Sequence, residues 1–209
     1  QNEEGHYSFS LFWQKFTSRA IWDLNCLGGE LSCGVAWNSL WMAVLVGATT
    51  TLLGLAFALL VTRTGIQAKA FIRVSSLLPI ITPPFVIGLA LILLFGRSGA
   101  LNGFLEWAFG IPPTRWIYGL PGIWLAQTLA FTPIAFLVLI GVVEGVSPSM
   151  EEASQTLRAS HWQTFWTVSL PLMRPGIANA FLLGFIESLA DFGNPLVLGG
   201  SYEVLSTQI

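Results

Sequence analysis

Charge is scarce in this 209-residue chain: Lys and Arg number 9, Asp and Glu 11, and together they are 10% of the residues. A soluble domain carries about 25%, so the chain is short of groups that solvate a water-facing surface. The net charge is −2 and no run of Lys and Arg occurs, which leaves nothing to hold nucleic acid. Histidine and cysteine number 2 each. Two cysteines do not complete a tetrahedral zinc shell, and no nucleophile stands with a matching base, so neither a metal site nor a catalytic set is expected. No Gly-x-x-x-x-Gly-Lys stretch is present, nor any Gly-Lys pair, so a phosphate-binding loop for ATP has no seat in this sequence. The first residues, QNEEGHYSFS, also lack the basic and apolar pattern of a signal peptide. With Gln1 in place of Met and an abrupt end at EVLSTQI, the chain reads as a piece of a longer protein.

What is there in quantity is apolar: 54% of residues. Three charge-free runs, 31–62, 74–96 and 116–143, each exceed the roughly 20 residues that a helix needs to cross about 30 Å of hydrocarbon. A fourth apolar stretch, 176–198, is interrupted by Glu187 and Asp191. The expected fold is an all-α, polytopic transmembrane bundle. It divides into an external polar segment at 1–34 with an interfacial helix in LFWQKFTSRAIW, a membrane core at 35–198, and an external tail at 199–209. In the first span, Gly47, Ala48 and Gly54 give a small-residue face for close helix packing. Three prolines in LLPIITPPFVIG are expected to kink the second span. The short loop with Arg63, Lys69 and Arg73 is the most basic and is placed in the cytoplasm, which puts residues 146–175 there as well. Cys26 and Cys33, in CLGGELSC, are either a disulfide across a small loop or two free thiols.

The stretch VSPSMEEASQTLRASHWQTFWTVSLPLMRP, residues 146–175, is polar between two lipid-like runs. Two short helices fit it. Ser147 can cap the first, with Pro148 at its first position and Glu151 and Glu152 in its first turn. Ser160 can cap the second, with Gln163 at capping-box spacing. Trp162, Phe165 and Trp166 then share a face, and Pro171 and Pro175 frame the return to the membrane. Such a pad can lie on the bilayer, pack under its own bundle or dock a partner. His161 heads the second helix as a contact, and His6 has no assigned role.

The same stretch resembles the EAA loop of permease subunits of binding-protein-dependent ABC importers. Glu152-Ala153-Ser154 stands at the Glu-Ala-Ala position, Ala159 opens the stretch ASHWQTFWTVSLP that ends at Pro171, and RPGI follows. The family glycine falls on Arg158. A β-carbon disfavours the left-handed conformation, so a different turn is expected there. LLPIITPPFVIGLALILLFGRSG and SLADFGNPLVLGG are similar to segments of the molybdate, sulfate and ferric branch, and ADFGNPLVLGG to ferric iron permeases in particular. The resemblance implies a type I importer permease in a bacterial inner membrane, with the loop as a coupling helix seated on a cytoplasmic ATPase dimer. ATP and magnesium would be held by that partner, with no cofactor on this chain. A second permease half, fused or separate, and a periplasmic or lipid-anchored solute-binding protein would complete the system. One further span is expected before Gln1 and one after Ile209. In this role Glu152 faces the ATPase, Ala153 allows close approach, and Trp162 and Phe165 anchor the second short helix against the bundle.

Glu187 lies eleven residues past Gly176, about 16 Å along a helix, near the bilayer centre, and Asp191 follows at i+4. Ionisable groups at that depth are costly and line polar routes. The pair therefore reads as pathway lining, as an interfacial pair if the helix ends early near Gly193, or as partners of another helix. A secondary transporter or channel using Glu187 and Asp191 for ion coupling is the rival reading, as is a permease for molybdate or sulfate, thiamine, a polyamine or phosphonate. An intramembrane enzyme would need facing acids on two helices, which the sequence does not offer.

Overall fold

In the computed structural model, residues 18–23, 34–64 and 82–208 are described, and every regular element among them is helical. After the short α1 (Arg19–Trp22), α2 runs from Val35–Arg63, α3 from Pro84–Phe95, α4 from Ala100–Phe109 and α5 from Leu120–Glu144. Then come α6 (Pro148–Thr156), the long α7 (His161–Ala190), α8 (Gly193–Leu198) and α9 (Leu205–Gln208). Four segments are long and apolar enough to cross a membrane: α2, α3 with α4, α5, and α7. The 29 residues of α2 span roughly 44 Å, more than a bilayer core requires.

Helix α5 forms the centre: 67% of its apolar window is buried, against 22% for α7. An all-round apolar helix with no polar stripe is what a central position selects. At one end Met42, Ile123, Phe131 and Leu198 share a core; at the other, Phe136, Leu139, Val143 and Met173 do. Small residues set the spacing between helices. A β-carbon on Gly54 would lie 2.9 Å from the α5 backbone at Ala135, and one on Gly184 would lie 2.7 Å from Thr50 Oγ1. The small-residue face of α2 thus lies against two helices. Its Thr50 and Thr51 hydroxyls donate to Val46 and Gly47 carbonyls of the same helix, at 2.8 and 2.7 Å, so they need no water.

Two expectations are corrected. Pro83 and Pro84 do not kink a span: they stand at the N-cap and first position of α3, where a missing N–H leaves no bond unmade. Pro171 and Pro175 do not frame a loop, because α7 continues through both. A π turn at Phe165–Ser169, in which Leu170 N–H donates to the Phe165 carbonyl, widens the helix just ahead of Pro171. That widening relieves the clash of a proline ring with the preceding turn. Residues 202–205 pack back on the bundle. Tyr202 Oη donates to the Asn38 carbonyl (3.0 Å), Asn38 Nδ2 to the Glu203 carbonyl (3.1 Å) and the Leu205 N–H to Ser39 Oγ (2.7 Å), which seats α9 on the start of α2. Cys26 and Cys33, most of the proposed interfacial helix, Lys69, Arg73 and the start of the second span lie outside the described residues.

Candidate functional site

Residues 144–169 build a pad at one end of the bundle. Pro148 occupies the first position of α6, and Ser147 the N-cap, but its hydroxyl pairs with Ser149 Oγ at 2.8 Å instead of capping the helix. The cap expected of Ser147 is therefore absent. Glu151 turns inward. One carboxylate oxygen accepts from Arg63 at the end of α2, the other from Ser169 in the π turn of α7, both at 2.6 Å. A single side chain thus ties the pad to two membrane helices.

Arg158 does take the left-handed conformation, with φ 66°, against the expectation of a different turn. The hydrogen bonds explain how. The Ala159 N–H donates to the Ser154 carbonyl (3.2 Å) and the Arg158 N–H to the Gln155 carbonyl (2.9 Å). This pair of bonds is the Schellman ending of a helix, which satisfies orphan carbonyls and is usually completed by glycine. Arginine adopts it here at a steric cost of about 1 to 2 kcal/mol.

The second helix starts as its sequence indicates. Ser160 Oγ accepts from the Gln163 N–H (3.3 Å) while Gln163 Oε1 accepts from the Ser160 N–H (2.9 Å). Ser154 Oγ and Thr164 Oγ1, 3.0 Å apart, join α6 to α7, and Gln155 Nε2 sits 3.3 Å from His161 Nδ1. Trp162, Phe165 and Trp166 pack on one another with ring centroids 5.5 to 6.1 Å apart. Their roles differ from those expected. Phe165 packs on the lower core, but Trp162 is 69% exposed and does not anchor the helix to the bundle. Because the helix is continuous with the span, its aromatic stripe turns outward at Trp162 and inward at Phe165. Glu152, Ala153 and Leu157 are exposed too, Ser154, Ala159 and Pro171 half-buried. The outer face of the pad is thus an acid, a small residue and large apolar groups.

Glu187 and Asp191 part company. Helix α7 ends at Ala190, and Asp191 follows in extended backbone (ψ 117°), so the i+4 pairing on one helix face is not formed. Asp191 is 9% exposed and its carboxylate is fully engaged. Oδ1 accepts from the Gly193 and Asn194 N–H groups at 3.0 and 3.3 Å, the geometry of an Asp cap at the start of α8. Oδ2 accepts from Gln127 Nε2 (2.9 Å) and Asn194 Nδ2 (2.8 Å). Ser188 Oγ donates to Gln127 Oε1 at 2.7 Å, closing a buried network between α5 and the α7–α8 break. Of the readings open for Asp191, partnership with another helix has the most direct geometric support. Glu187, one turn earlier, is half-exposed on α7. The sequence reading missed Gln127 and Ser188; a lone Gln amid the apolar residues of a span was the available signal. No group of three or more His, Cys, Asp and Glu fit to hold a metal occurs among the described residues.

Comparison with known proteins adds the following. Residues 50–208 match the family model of the binding-protein-dependent transport system inner membrane component. The chain is 48% identical over 200 residues to the ferric transport system permease protein FbpB of Actinobacillus pleuropneumoniae, covering 96% of this chain and 29% of that protein. It is 52% identical over 175 residues to a putative ferric transport system permease of Haemophilus influenzae, covering 84% of this chain and 28% of the relative. The molybdenum transport system permease protein ModB of Escherichia coli K12 is 32% identical over 161 residues, 75% of this chain and 69% of that one. The chain therefore spans under a third of the length of the two ferric relatives. In fold it is similar to a crystal structure of a bacterial ABC transporter that imports the acidic polysaccharide alginate. The TM-score is 0.74 at 17% identity, over 99% of this chain and 72% of that one.

Proposed function

The chain belongs to the family of binding-protein-dependent transport system inner membrane components, and on that premise we propose that it forms part of the translocation path of an ATP-binding-cassette importer for ferric iron. The observation that carries this reading is the pad. Helix α6 presents Glu152, Ala153 and Leu157 outward while Glu151, on the same helix, grips α2 and α7. A push on the outer face is thereby delivered to two spans. The pad faces the cytoplasm and sits in a groove of an ATPase dimer, where ATP and magnesium are held. A second permease half completes the path, and a periplasmic or lipid-anchored binding protein delivers the solute from the opposite face. Iron is favoured as the cargo because identity to the ferric permeases exceeds that to the molybdenum permease. Glu187, half-exposed on α7, lines the route, and Asp191 holds the α7–α8 break in shape.

The test is co-purification of the intact permease with its cognate ATPase in mild detergent, together with ferric uptake by proteoliposomes. Wild type should retain the ATPase and show ATP-dependent uptake, while Glu152→Lys and Trp162→Asp should lose the association or uncouple the two activities. Uptake that persists without ATP and collapses with an ion gradient would instead establish a secondary transporter.

A further inference from the structure

At the end of the bundle opposite the pad, three loops close around a cavity of about 620 Å³ lined by Arg97, Arg115, Tyr118, Gly200 and Ser201. Its position follows from the chain path. Helix α5 begins there, at Leu120, and ends beside the pad at Glu144. The two arginine loops are held in fixed relation. Asn102, 5% exposed, donates through Nδ2 to the carbonyls of Gly96 (2.8 Å), Thr114 (3.2 Å) and Phe95 (3.3 Å). Phe95 and Trp116 add an edge-to-face contact, with ring centroids 5.6 Å apart. The third loop is fixed by the Gly119 N–H donating to the Leu198 carbonyl (2.7 Å) and turns through Gly200 at φ 58°.

Two arginines thus line one cavity, and the Arg63–Glu151 salt bridge is at the other end of the molecule. Glu106 and Glu203 are the acids on nearby elements. Both are exposed, and the Glu203 carboxylate accepts from Gln208 Nε2 at 2.7 Å. Like charges gathered on a preformed concave surface, with no counter-charge paired to them among the described residues, are suited to an anionic partner. Arginine's planar fork matches a carboxylate, and Tyr118 and Ser201 share the lining.

We propose that Arg97 and Arg115 form a socket on the outer face that receives an acidic side chain of the solute-binding protein. The proposal rests on the importer reading, under which this is the face where solute is delivered. Charge on such a surface acts chiefly on the rate and register of encounter. The socket aligns the delivering protein over the path before any conformational change begins.

The experiment uses the full permease with its ATPase in nanodiscs and the purified, iron-loaded binding protein, with affinity and rates read by interferometry at ~50 and ~300 mM NaCl. Wild type should bind more weakly as salt rises. Arg97→Glu with Arg115→Glu should lower affinity about 10- to 100-fold, mainly through the on-rate. Reversing one surface acid of the binding protein to Lys should restore it. Arg97→Lys with Arg115→Lys, which keeps both charges, should retain most of the on-rate and lose part of the affinity. Size exclusion and thermal melting check folding; if the Glu pair does not fold, the wild-type salt series and the Lys pair still decide. Wild-type affinity in the Glu pair, or salt-independent binding by wild type, would overturn the socket while leaving the importer reading intact. A loss that no acid reversal restores, accompanied by loss of inorganic phosphate binding, would overturn docking in favour of a small-anion site. If wild type retains the ATPase yet binds no binding protein, the delivery reading fails and the socket fails with it.

Discussion

Glu151 is the point at which the pad can be loosened with least damage elsewhere. Its two oxygens accept from Arg63 Nη1 and Ser169 Oγ, each at 2.6 Å, and the Arg63 and Glu151 side chains are 32% and 19% exposed. An exposed ion pair contributes about 0.2 to 1 kcal/mol, and a hydrogen bond to a charged group about 1.5 to 3 kcal/mol. Discounting for solvent, removal of both contacts by Glu151→Ala should cost the pad about 2 kcal/mol of local stability. That corresponds to roughly a 30-fold rise in local opening, since 1.4 kcal/mol is tenfold. Hydrogen exchange reads it directly. Amides of residues 151–159 should lose about that factor of protection, while those at the centre of α5 should not change. Arg63→Ala alone should cost less, because Ser169 still holds the carboxylate. The double variant should be little worse than Glu151→Ala, with a coupling energy of about 1 kcal/mol. Additive losses in the double variant, or unchanged protection of α6, would refute the idea that this carboxylate binds the pad to the spans.

Arg158→Gly should stabilise the α6 ending by about 1 kcal/mol, since the φ of 66° no longer meets a β-carbon; slower exchange at residues 157–159 is the readout. Gly184→Leu should lower the melting temperature through a cost of about 1 to 3 kcal/mol, since even its β-carbon meets Thr50 Oγ1 at 2.7 Å. Gly141→Ala, with nothing within 4 Å, should be neutral or slightly stabilising. Asp191→Ala leaves Gln127 Nε2, Asn194 Nδ2 and two backbone N–H groups without their acceptor. It should cost about 3 kcal/mol or more, seen as a loss of extractable folded protein. Burial pushes the Tyr202 phenol up from 10.0 to about 12. The folded state therefore favours the protonated form, and the contribution present below pH 10 should decline as pH rises toward 12. Melting curves of Tyr202→Phe should lack that alkaline loss, and an identical decline in the variant would refute the assignment.

How much of this was legible depended on whether the signal was local. The charge-free runs at 31–62 and 116–143 end within a residue of α2 and α5 and begin about four residues before them, because continuous apolarity alone specifies them. The Ser160–Gln163 box is equally local, and it forms as its spacing requires. The prolines were misread because their effect depends on register. Pro84 at a first helical position and Pro171 after a π turn are both tolerated, and neither the helix start nor the extra residue in the turn shows in composition. Ser147 illustrates the same limit. It stands at the N-cap, but a second serine two residues on competes for its hydroxyl.

The acids carry the argument further. Glu151 and Glu152 are adjacent and chemically alike, yet one is tied inward to two spans and the other is exposed. Successive helix positions are about 100° apart, so two neighbours cannot face the same way. The direction each takes depends on Arg63, 88 residues away in sequence. Asp191 was placed with Glu187 by counting 3.6 residues per turn, but the count fails where the helix ends. The reason for that ending lies in Asp191 itself. A short carboxylate three residues before Asn194 caps a new helix better than it continues an old one. Gln127 then becomes intelligible, since a break in a span leaves polar groups that a neighbouring helix must satisfy. Of the two acids, Asp191 has its carboxylate taken up by four donors, whereas Glu187 is half-exposed, and the proposed path assigns the solute-facing role to it. Glu187→Gln should therefore lower uptake without lowering the melting temperature, whereas Asp191→Asn, which adds a donor among groups that already donate, should lower both. If the two variants behave alike in the melt and in transport, the division of labour drawn from the α7–α8 break is wrong.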